Sequence, residues 1–170
     1  MAVQSTTDLA IPISIFHMTA PGPAYYNHQT SLGKSFRGQS LKNANFRNAD
    51  LRNANFDGAD LTGADFTAAE LTGASFIASI LNNADFTNAI LRNALVRSKA
   101  TANAKFYQTN CRGTLFIMTD LREIEVEAAD FSNADLSSAL ILPEQLFGCN
   151  ILNTLMPDGT IHSTAVFLSW

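Results

Sequence analysis

From Phe36 onward, every fifth residue of this chain is apolar, with one exception. The series runs Phe36, Leu41, Phe46, Leu51, Phe56, Leu61, Phe66, Leu71, Phe76, Leu81, Phe86, Leu91 and Val96. After polar Thr101 it resumes at Phe106, Cys111, Phe116, Leu121, Val126, Phe131, Leu136 and Ile141. The residue two before is small in most repeats, and it is Ala in seven successive ones from Ala44 to Ala74. A period of five fits neither the 3.6-residue helical turn nor the two-residue alternation of a long strand. A helix would scatter these side chains around its surface. A unit that returns one large and one small group to the same environment implies a short extended piece followed by a corner. Asn or Gly stands two after the large residue at Asn43, Asn48, Asn53, Gly58, Gly63, Gly73, Asn83, Asn88 and Asn93. These residues accept the positive φ that a tight corner demands.

The units Ala44-Asn45-Phe46-Arg47-Asn48, Ala49-Asp50-Leu51-Arg52-Asn53 and Ala59-Asp60-Leu61-Thr62-Gly63 resemble the pentapeptide-repeat family, whose motif is A-(D/N)-(L/F)-x-x. The ending Met156-Pro157-Asp158-Gly159-Thr160-Ile161-His162 is similar to a tail common in cyanobacterial members. The resemblance implies an all-β fold, a right-handed quadrilateral parallel β-helix with four pentapeptides per coil. A structural period of twenty then gives four walls. One collects Phe36, Phe56, Phe76, Val96, Phe116 and Leu136, and the opposite one Phe46, Phe66, Phe86, Phe106 and Val126. Phe thus stacks on Phe, and Leu on Leu in the two walls between. At roughly 4.8 Å per coil the rod is about 26 Å long.

Three segments follow from this register: an N-terminal extension and cap over 1–33, a β-helix of about five and a half coils over 34–143, and a C-terminal cap and tail over 144–170. Open solenoid ends need covering. Pro143 and Gly148 bracket a short helix whose Leu146 and Phe147 are expected to cover the last coil. Pro157-Asp158-Gly159 marks a turn. The apolar ending Val166-Phe167-Leu168-Ser169-Trp170 is expected to pack back on that cap or to form a dimer contact.

Net charge is −4 with pI ≈ 5.2, which disfavours nucleic acid as a partner. No apolar run is long enough for a spanning helix. No Lys or Arg precedes Lys34, so the basic start of a secretory signal is missing. With only two cysteines, this predicts a cytoplasmic protein, the alternative being an exported or thylakoid-lumen protein whose signal has been removed. His17, His28 and His162 have no ligand spacing, so no metal is expected. Cys111 occupies a core position, and the Asp residues belong to the motif. The reading is therefore no enzyme, no catalytic residue, no cofactor and no small-molecule substrate.

Function is expected as a non-catalytic interaction module for an unknown protein partner, with homodimer formation as a second prospect. The interaction surface is placed on the wall headed by Phe36, where Ile77, Leu95, Leu115 and Ile117 point outward over three coils, with Met118 at the adjoining corner. The resemblance supplies an alternative, since some members are rod-shaped mimics of DNA that bind DNA gyrase. Mimicry needs a continuous negative surface. Here charge falls in cancelling bands, +4 over residues 34–53 and 94–113, −4 over 54–73 and 114–133. Two details are expected of the structure. The coil at Val96, Thr101, Phe106 and Cys111, with Lys99 where Ala belongs, should lose its regular corner. Charges should pair along the columns Asp85–Lys105–Glu125 and Arg37–Asp57.

Overall fold

The computed structural model describes residues 24–98 and 100–163. Parallel bridges join residues twenty apart, from Tyr25 with Asn45 up to Asp135 with Leu155. Four pentapeptides therefore make one coil, and the ladder reaches beyond 34–143 in both directions. Each repeat bonds to the coils on either side. The N–H of the large residue donates to the following coil (Phe46 to the Asp65 carbonyl, 2.7 Å), and that of its predecessor to the preceding one (Asp65 to the Ala44 carbonyl, 2.9 Å). Corners close with a bond from the small residue back to the large one, as from Ala49 N–H to the Phe46 carbonyl at 3.0 Å. All nine Asn and Gly corner residues expected to take positive φ do so, Asn48 at 54° and Gly58 at 67° among them. The Asp or Asn before the large residue has a local role. Its side chain accepts the N–H two residues on, as Asp65 does from Thr67 (2.9 Å) and Asn45 from Arg47 (3.0 Å).

The core is a pair of aromatic columns. Phe36 and Phe56 stack at 4.8 Å, as do Phe46 and Phe66, while rings of opposite columns meet edge-on, Phe36 and Phe46 at 84°. Tyr26 extends the second column downward, 4.8 Å from Phe46, so the solenoid is already formed below Phe36. Higher up, Val126 follows Phe106 in its column, and Phe131 stands above Cys111 in the next. The large ring has changed columns, which keeps the cross-section filled.

The coil at Val96 departs from the pattern as expected. Ser98 lacks the positive φ of a corner residue and is buried, its hydroxyl donating to the Ser79 carbonyl (3.1 Å). Asn103 N–H reaches the Glu123 carbonyl, one residue further than the regular bond. Thr101, buried in the core, satisfies its hydroxyl on the Asp120 carbonyl. Lys99 lies outside the described residues. Threonines in the small-residue position behave alike: Thr109, Thr114 and Thr119 donate to the carbonyls of Phe86, Leu91 and Val96 at 2.6–2.8 Å.

The C-terminal end differs from expectation. The helix is a single 3-10 turn, Pro143–Leu146, held down by Gln145, whose amide donates to the Leu121 (2.9 Å) and Ile124 (3.2 Å) carbonyls. It does not close the solenoid, because Leu146, Ile151 and Met156 continue the buried series in register. Leu146 enters the core, whereas Phe147 is exposed. Cys149, placed beyond the last coil by the sequence reading, is fully buried in the small-residue position of an additional repeat. The end is covered instead by a reversal at Met156–Thr160, after which Ile161 pairs antiparallel with Leu155. There the His162 carbonyl accepts the Asn153 N–H, which in a longer solenoid would bond to the next coil. The packing expected of residues 166–170 lies outside the described residues.

Candidate interaction surface

On every wall the residues flanking the large one point to solvent. Over the Phe36 wall these are Ser75 and Ile77, then Leu95 and Arg97, then Leu115 and Ile117. Here single bridges lengthen into strands, β1 (Leu95–Val96) and β2 (Leu115–Phe116), paired parallel with Leu95 against Leu115. An additional bond from Ile117 N–H to the Val96 carbonyl (3.0 Å) prolongs the extended stretch. The chain leaves β1 without the usual corner, so the break at Ser98 and the extended wall are one feature.

All five residues expected at the surface lie on this wall or its corner. Leu115 and Met118 are exposed (40% and 65%), while Ile77, Leu95 and Ile117 are half-buried. Leu95 and Leu115 are register neighbours, but Ile77 and Ile117 are not, because Arg97 stands between them in their column. The Arg97 guanidinium lies against the Met118 sulfur, Nη2 to Sδ 3.5 Å. Two outward arginines were missed by the sequence reading. Arg92 and Arg112 stand one coil apart just before the corner leading to Leu95 and Leu115. Their signal in the sequence is the spacing of twenty, which places both in one column beside the apolar wall.

Charges pair differently from the expectation. Asp85, Lys105 and Glu125 are in register, yet no ion pair joins them, nor Arg37 and Asp57. Asp85 is occupied by the Thr87 N–H (2.9 Å), Glu125 by the Tyr107 hydroxyl, and Asp57 by Ser75 (2.6 Å). The pairs between coils run on the diagonal, Lys42–Asp60 at 3.2 Å and Arg47–Asp65 at 3.1 Å. The others close within a repeat, Arg52–Asp50 and Arg122–Asp120. The Arg52 and Arg122 side chains hold Asp50 and Asp120 below the usual carboxylate range. Burial pushes the Cys111 thiol well up, which makes it a poor nucleophile. Among the described residues no His, Cys, Asp or Glu cluster is arranged to hold a metal ion, and no helix is long and apolar enough to cross a membrane.

A pentapeptide-repeat family model matches eight copies of its unit, over residues 35–67 and 69–94. The chain belongs to the pentapeptide-repeat family. Its neighbours among solved structures include a pentapeptide-repeat protein of the Arabidopsis thaliana thylakoid lumen, 38% identical over 54% of this chain and 68% of that one, TM-score 0.36. HetL, a pentapeptide-repeat protein involved in heterocyst differentiation regulation in the cyanobacterium Nostoc, is 18% identical over 81% of this chain and 94% of its own, TM-score 0.39. QnrB1, a plasmid-mediated fluoroquinolone resistance protein, is 18% identical over 79% and 80%, TM-score 0.47. No curated protein matches the chain. The pentapeptide register itself runs further than the matched residues, from Tyr26 to Met156.

Proposed function

We propose that this pentapeptide-repeat protein is a non-catalytic interaction module whose contact surface is the Phe36 wall at Ile77, Leu95, Leu115, Ile117 and Met118. One observation carries the reading: the apolar outward residues coincide with the first corner, at Ser98, that loses its positive φ. Elsewhere the outward positions are mostly polar, and further up the rod the corners at Glu123 and Ser138 also lack the positive φ. A rigid wall with contiguous apolar side chains is what a protein contact needs. Its partner is a second protein, with self-association as the variant of the same idea. The unbridged, buried thiols of Cys111 and Cys149 suit a reducing compartment, and we place the protein in the cytoplasm on that basis.

The electrostatics do not favour DNA mimicry. The basic band over residues 34–53 is tied to the acidic band above it by Lys42–Asp60 and Arg47–Asp65, which interrupts any negative surface along the rod. The test is the double variant Leu95→Asp, Ile117→Asp. Its circular dichroism should match that of the parent, while association measured by light scattering, or by pull-down from native lysate, should be lost. Retention of association by the folded double variant sinks the reading.

A further inference from the structure

Among the arginines, Arg47, Arg52 and Arg122 each hold a carboxylate. Arg37, Arg92, Arg97 and Arg112 are exposed and join no ion pair with a described residue, and the last three stand within about one coil of each other. All three border the apolar wall. Arg92 and Arg112 immediately precede the corner residues Asn93 and Gly113, both at positive φ, and Leu95 and Leu115 come two residues after those corners. A column of two arginines thus runs beside a column of two leucines, one coil apart in both. Arg97 occupies the far side, against Met118.

The regular device for neutralising such arginines does not operate here. In the diagonal offset that brings Arg47 to Asp65, Arg92 meets Asn110 and Arg97 meets Leu115, while Arg112 has Asp130 in that place but forms no ion pair with it. These cations keep their charge for an external group. We infer that the wall takes an acidic amphipathic segment of a partner protein, one that lays apolar side chains on Leu95, Leu115 and Ile117 and sets carboxylates against Arg92, Arg97 and Arg112. This rests on the wall being the contact surface. The leucines between the arginines disfavour a duplex, whose backbone would offer them only phosphate. Arginine suits the task because its planar fork binds a carboxylate in two places and tolerates partial burial.

The test is selection of random 16-residue peptides displayed on phage against the full chain, counter-selected on the folded Leu95→Asp, Ile117→Asp variant. Enriched peptides should carry apolar residues at helical spacing with flanking Asp and Glu. Synthesised peptides should lose at least tenfold in affinity for the Arg92→Glu, Arg112→Glu variant, and their binding should weaken between 50 and about 300 mM salt. Enriched peptides that are neutral or basic, or that bind the arginine variant equally, overturn the inference and leave the wall as a contact surface. Absence of enrichment over the counter-selected variant overturns both. A third arm uses vesicles containing phosphatidylglycerol. Arginine-dependent binding to them, without peptide enrichment, overturns the acidic-protein reading in favour of a lipid surface.

Discussion

A corner at positive φ sorts its occupants by the presence of a Cβ. Most corners here hold Asn or Gly, but Ala68 and Ala78 are held at 56°. Non-glycine residues in this region cost roughly 1 kcal/mol, so Ala68→Gly should stabilise the protein by about 0.5–1 kcal/mol in urea denaturation. A loss of stability would show that the corner tolerates the methyl group. Glycine corners are not equivalent. A Cβ on Gly58 meets nothing, whereas one on Gly73 falls 2.4 Å from the Asn53 Oδ1 of the preceding coil. Gly73→Ala should therefore cost more than Gly58→Ala, and Asn53→Ala should remove the difference. Equal costs with no coupling would refute the contact. At this scale the sequence was most legible, because backbone sterics alone select the residue type. Side-chain pairing was not. Register gave which residues stack, but not that motif carboxylates are already engaged by their own turn and that cations reach them on the diagonal.

Within an element, the decisive contacts are between successive coils. Phe66 stacks on Phe46 and Phe86 and meets Phe56 and Phe76 edge-on, so Phe66→Ala should cost about 3–5 kcal/mol and Phe66→Leu clearly less. An unchanged denaturation midpoint for the alanine variant would contradict the packing. Cys111 and Cys149 are both fully buried, so neither should react with an aromatic disulfide reagent until the protein is unfolded, when both should. Prompt labelling of the native protein would mean an open upper coil. The sequence reading ended the repeats too early for a physical reason. Cys149 and Thr154 replace the small Ala, Ser31 replaces the large residue, and Pro143 starts a 3-10 turn inside the solenoid rather than at its end. Volume and hydrogen bonding, with Thr154 donating to the Phe131 carbonyl at 2.7 Å, keep the coil where the motif has faded.

Over the whole molecule, the two lower charge bands are locked to each other by Lys42–Asp60 and Arg47–Asp65, whereas the described cations of the band over 94–113 join no ion pair. Asp50 and Asp120 are lowered by their arginines; for Asp60 and Asp65 burial raises the pKa, but bonds from Thr62, Thr67, Lys42 and Arg47 outweigh it. Depressed folded pKa values contribute stability that is present above the unfolded value of about 3.9 and is lost as pH falls through the folded values. The melting temperature should decline below about pH 4, and a flat profile to pH 2 would contradict the assignment. For function the residues offered only a place to propose, the wall where outward residues turn apolar, and it is there that the account is most exposed. The direct measurement is photocrosslinking in cells of the source organism, with a benzophenone amino acid at Leu115 and, as a control, at Thr87 on the opposite wall. The account predicts a discrete protein adduct from position 115 and none from position 87. Adducts from both positions, or from 87 alone, would contradict it.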